Sequence, residues 1–154
     1  MNEMLNDMLL KNGIMLNKTI LIRHKDRRAK KNKSIYDLWM NRYNNSEFDT
    51  YNTIQGINLE PRLNADYWVE FIGTQEGDTL FIGIYKVLSH KILNREEKIP
   101  HMDGYSHANE NHEYVLALQN ELKEYIGKMT IDWRLGYRAW IQKPMNQNKK
   151  LIKK

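Results

Sequence analysis

The chain has 154 residues, 41% hydrophobic and 28% charged, a balance that fits one globular domain with a real core and excludes global disorder. It contains no cysteine, which removes disulfides, thiolate metal sites and cysteine nucleophiles and agrees with a reducing compartment. The net charge of +5 points to an anionic partner, and the cations bunch at 23–33 and again at 143–154.

Along the chain, Met1, Met4, Leu5, Met8 and Leu9 recur at helix-like spacing, so residues 1–16 read as an N-terminal extension able to form a short amphipathic helix. Its acidic residues and asparagines do not suit a signal peptide, and no apolar run approaches the roughly 18 to 20 residues of a membrane helix. The expected location is therefore the cytoplasm. Residues 18–22 read as a buried strand that runs straight into a basic loop. Ser34 is placed to cap a helix over Ile35–Tyr43, and a second helix over Glu47–Gln55 would set Phe48, Tyr51 and Ile54 on one face and end at Gly56.

From Ala65 the period changes to two. Tyr67, Val69 and Phe71 alternate with Trp68, Glu70 and Ile72, and the turn at 75–78 leads into a strand over Thr79–Leu88. Residues 89–112 read as a long polar loop, Tyr114–Leu118 as a strand, 119–125 as a helical turn, Lys128–Trp133 and Arg138–Gln142 as strands, and 149–154 as a basic tail or linker. Five or six strands with two or three flanking helices predict an α+β fold over 17–148, a small barrel or strongly curved sheet with helices on one side.

The sequence spells no complete catalytic set. There is no nucleophile elbow, phosphate loop or dinucleotide fingerprint, so no cofactor is expected. His101, His107 and His112, with Asp103, Glu110 and Glu113, offer metal-binding atoms but match no ligand spacing, and a solvated loop is the expectation. Gly83-Ile84-Tyr85 and Tyr125-Ile126-Gly127 spell the two tripeptides of the GIY-YIG nucleases, but they stand far apart and no glutamate follows Gly127 to hold a metal. Here Gly83 reads as a close-packing point in a strand.

The segment Ile131–Gln142 is the richest. Trp133, Trp140 and Tyr137 supply faces on which bases stack, and Arg134, Arg138 and Gln142 supply planar donors for phosphate or a base edge. A hairpin turn at Leu135-Gly136 would bring Trp133 and Arg138 together. The competing expectation is that Trp133 and Trp140 belong to the core while the arginines extend to water.

The series LIRHKDRRAKKNKSIYDLWMNR, FDTYNTIQG, DTLFIGIYKV, YIGKMTIDWRLGYRAWIQ and MNQNKK resembles an N-terminal domain of bacterial proteins whose C-terminal half is a GIY-YIG or other nuclease. Its most specific part is Trp133, Gly136, Arg138, Trp140 and Gln142. The resemblance implies a DNA-recognition module of a restriction-type enzyme, without catalytic residues of its own and continuing into a nuclease domain. The strand pair YWVEFIGTQEGDTLFIGIYKV is also similar to the middle of PUA-superfamily barrels, which include the SRA and EVE readers of modified bases, with a B3-like pseudobarrel as a close competitor.

These likenesses imply double-stranded DNA as the partner. Arg23, Lys25, Arg27, Arg28, Lys30 and Lys31 would contact phosphates, joined by Arg134, Arg138 and Gln142. A pocket of Tyr67, Trp68, Trp133 and Trp140 would take a flipped base, a modified cytosine first. Alternatives are a B3-like reader without flipping, an RNA-binding PUA-like domain and an autonomous metal-dependent nuclease.

Overall fold

The computed structural model of the chain describes residues 3–24, 49–56, 60–73, 79–93, 111–133, 140–144, 149 and 151–153. The fold is α+β and dominated by one mixed sheet. Helix α1 is Leu5–Lys11 and α2 is Glu60–Leu63, while the strands are β1 Thr19–His24, β2 Thr50–Gly56, β3 Tyr67–Gly73, β4 Thr79–Leu93, β5 Asn111–Leu118, β6 Met129–Ile131, β7 Ile141–Gln142 and β8 Leu151–Lys153. The main path runs β2-β5-β4-β3-β1-β7, and β6 bridges β4 to β8. β1 lies parallel to β3 and every other pairing is antiparallel.

The sheet curls. Tyr51 on β2 places its hydroxyl 2.5 Å from the carboxylate of Glu70 on β3, although β5 and β4 lie between them. Three strand spacings in a flat sheet amount to about 14 Å, so the face carrying these two residues must be concave. The described strands do not close into a barrel, since β2 and β7 remain edges. The pairing of β3 with β4 slips between Glu70 and Phe71, beside Gly83. Gly83 has φ +134, and a Cβ there would come within 2.6 Å of Leu118 Cδ1. Only glycine suits this bulge, which accounts for the first glycine of the GIY tripeptide. The YIG tripeptide is not a strand; Gly127 N donates to Phe81 O from the turn after a short 3-10 segment.

Four sequence expectations change. Residues 50–56 form a strand, not a helix: Tyr51 and Thr53 are buried with Asn52 exposed between them, and β5 pairs along the whole length. β-Branched and aromatic side chains suit that pleat better than the three-residue spacing of Phe48, Tyr51 and Ile54 suits a helix. The loop at 89–112 is shorter, because β4 continues to Leu93 and β5 begins at Asn111. The expected strands over Lys128–Trp133 and Arg138–Gln142 are not paired, since β6 and β7 are not neighbours; the turn at 135–136 and Arg138 lie outside the described residues. The C-terminal residues are not a free basic tail. β8 pairs with β6, Lys149 is buried, and Leu5 N donates to Lys149 O while Leu151 N donates to Glu3 O.

The N-terminal segment is equally tied down. Leu5, Met8 and Leu9 repeat at helical spacing, and all three enter the core. The expected helix over Ile35–Tyr43 lies outside the described residues.

Candidate nucleic-acid interface

One end of the sheet gathers the segments that the sequence marks for DNA. β1 finishes at Arg23 and His24, from which the cationic run of 25–33 departs. β7 pairs antiparallel with β1, and Arg23 N donates to Trp140 O, so the chain arrives at β7 from this same end. Ile131 at the end of β6 lies opposite Thr79 at the start of β4, so β6 also hands the chain to residues 134–139 here. The two arginine-bearing segments are thus anchored on neighbouring strands of one edge. Lys25, Arg27, Arg28, Lys30, Lys31, Arg134 and Arg138 themselves lie outside the described residues.

Arg23 is the described member of the cationic set. Its Nε donates to Thr79 Oγ1 at 3.0 Å, and its guanidinium lies so close to Gly73 that a Cβ there would sit 2.7 Å from Nη2. Burial lowers its pKa from the ordinary arginine value. No carboxylate among the described residues pairs with it. Gln142, one register step inward on β7 opposite Leu21, is half-buried.

His24, next in the chain, turns to the concave face because strand side chains alternate. Its Nε2 lies 2.6 Å from Oε1 of Glu70, whose side chain is 1% exposed. The Tyr51 hydroxyl bridges both oxygens of the same carboxylate, and the Tyr51 ring packs edge-on against Tyr85. Burial, reinforced by the charge of Glu70, pushes the Tyr51 phenol well above its ordinary pKa, so it remains a donor. Sequence reasoning passed over this triad. One signal was present: Glu70 is the single charged residue within the apolar strand YWVEFIG.

The four aromatic residues expected to form a base pocket do not converge. Trp68 is 2% exposed, packs on Tyr114 and donates its indole N–H to Leu63 O, which makes it core. Trp133 is also buried, against Phe71 on the convex face, with Lys149 Nζ 4.6 Å from its ring centroid. Tyr67 and Trp140 are partly buried, but Tyr67 pairs with Thr19 at the start of β1 while Trp140 meets Arg23 at its other end. The reason is physical: large rings in a curled sheet fill its two packed faces before they line an opening.

At the far end of β4, His90 Nε2 meets His112 Nδ1, and His90 stacks on Tyr114. His112 Nε2 is buried without a hydrogen bond. Glu113 points the other way and lies 3.8 Å from Lys91. Among the described residues no group of three or more histidines and carboxylates is arranged to hold a metal; His101, Asp103, His107 and Glu110 lie outside them. Likewise, no described helix is long and apolar enough to cross a membrane. Comparisons with protein-family models, with characterised proteins and with solved structures gave no match to this chain.

Proposed function

We propose that this chain is a nucleic-acid-binding module that grips duplex DNA at the Arg23 end of its sheet and serves as the recognition part of a nuclease. A single observation carries the reading: the pairing of β1 with β7 roots the cationic run 25–33 and the arginine-bearing run 134–139 side by side. Two basic segments that leave neighbouring strands would concentrate positive charge where a polyanion can neutralise it. The half-buried Arg23, held by Thr79 and without a carboxylate partner among the described residues, adds a pre-positioned planar donor. In this reading the curled sheet is a relative of PUA-type barrels, left open between β2 and β7. In this reading the recognised base is a modified cytosine, held without Trp68 or Trp133, because both are committed to packing.

The test is duplex binding as a function of salt. Affinity should fall steeply as salt rises, and Arg27→Ala with Arg28→Ala should weaken all duplexes alike and reduce the salt slope by about one per lost contact. Duplexes with and without cytosine modification, and single-stranded or hairpin RNA, are the competitors. Duplex affinity that ignores salt removes the proposal; stronger competition by RNA redirects it to RNA.

A further inference from the structure

We propose that His24 reads the exocyclic amino group of a nucleobase through its Nδ1 atom, an inference that rests on the nucleic-acid reading above. The argument starts from the inside. Glu70 is buried on the concave face, and its two oxygens are met by the Tyr51 hydroxyl and by His24 Nε2. The tyrosine hydroxyl is a donor here, and a carboxylate can only accept. Nε2 therefore carries a proton, and in the neutral form of the ring the lone pair is left on Nδ1. A buried partner on one nitrogen that fixes which chemistry the other nitrogen offers is the arrangement by which proteins aim a histidine.

Nδ1 makes no hydrogen bond with any described residue, and the His24 side chain is 18% exposed. A nitrogen lone pair does not attract phosphate; it accepts N–H. On a nucleic acid the amino groups of adenine, cytosine and guanine supply such donors at base edges. The edge of the sheet then divides the labour as DNA readers do, with flanking cations positioning the backbone and one aimed side chain reporting the base. In the chain His24 stands between Arg23 and the run beginning at Lys25, and its ring lies on the face of β1 opposite the Arg23 side chain. Its ring cannot swing freely, because Glu70 is anchored by Tyr51 from three strands away.

The experiment uses the full chain. A pool of random duplexes is bound and the retained fraction sequenced. The preferred duplex is then remade with one base at a time replaced by its counterpart lacking the amino group: purine for adenine, 2-pyrimidinone for cytosine, hypoxanthine for guanine. The wild-type protein should lose roughly ten-fold in affinity for one analogue at one position, which also identifies the base. His24→Phe should bind parent and analogue duplexes equally, whereas Arg27→Ala with Arg28→Ala should weaken both and keep their ratio. If His24→Phe fails to fold, His24→Gln takes its place, and the wild-type analogue series decides regardless of either. The inference is overturned if no analogue differs from its parent, if no sequence is enriched, or if the His24 variants keep the discrimination. Salt-dependent binding that is blind to every analogue removes this inference alone, while loss of all duplex binding removes the parent reading with it.

Discussion

The two ends of the long strand β4 each carry a histidine cluster on the concave side, and they are built differently. At the Thr79 end, His24 is tied to a buried carboxylate that a tyrosine secures from three strands away. At the other end, His90 meets His112 and stacks on Tyr114, while His112 Nε2 is buried without a hydrogen bond to any described residue. The contrast teaches where the fold has invested in orientation. A buried charge costs several kcal/mol unless it is paired and hydrogen-bonded, so a satisfied Glu70 records a strong constraint on its partners. A stacked imidazole pair is chiefly a packing device. The constrained cluster also stands at the end of the sheet from which the cationic segments leave, and the packed one stands at the opposite end of β4.

Variants should separate the two ends in descending order of effect. Glu70→Ala strands a buried tyrosine hydroxyl and frees His24, and is expected to cost about 3 kcal/mol of stability by urea denaturation. A cost below about 1 kcal/mol would mean that the carboxylate does not organise that end. Tyr51→Phe removes one donor to a buried carboxylate and should cost about 2 kcal/mol near neutral pH. It should also change the alkaline limb. Because the folded phenol is raised well above 10.0, the unfolded chain ionises first, and wild-type stability should decline as pH climbs past 10.0. That decline should flatten in Tyr51→Phe, which denaturation midpoints measured across alkaline pH would show. His112→Phe is the smallest: it exchanges a buried imidazole for an apolar ring of similar shape, should move stability by less than about 1 kcal/mol, and should leave duplex affinity unchanged. A large loss of affinity from His112→Phe would erase the distinction between the ends.

Much of the scaffold was legible because it is local. The alternation in 67–72, the turn at 75–78 and the apolar opening of β4 announce an antiparallel pair without reference to the rest of the chain. The strand at 18–22 is similarly visible in its β-branched run. β2 is not legible in the sequence because Phe48, Tyr51 and Ile54 imitate a helical face while the residues between them are polar, and polar alternation identifies a strand only once its partner is known. The last residues look like a tail because lysines predominate there; β8 exists by virtue of β6 and of the contact between Glu3 and Leu151.

The amino-acid sequence by itself determined an α+β chain with a strongly paired central hairpin, an excess of positive charge and a cationic run beginning where the first strand stops. Tertiary structure alone decided which tryptophans are spent on the core, that β1 and β7 root two basic segments on one edge, and that Glu70 joins Tyr51, 19 residues earlier, to His24, 46 residues earlier. The physical reason is that periodicity reports how a segment alternates between two faces. Only the curl of the assembled sheet determines which faces are covered and which distant groups can satisfy a buried charge.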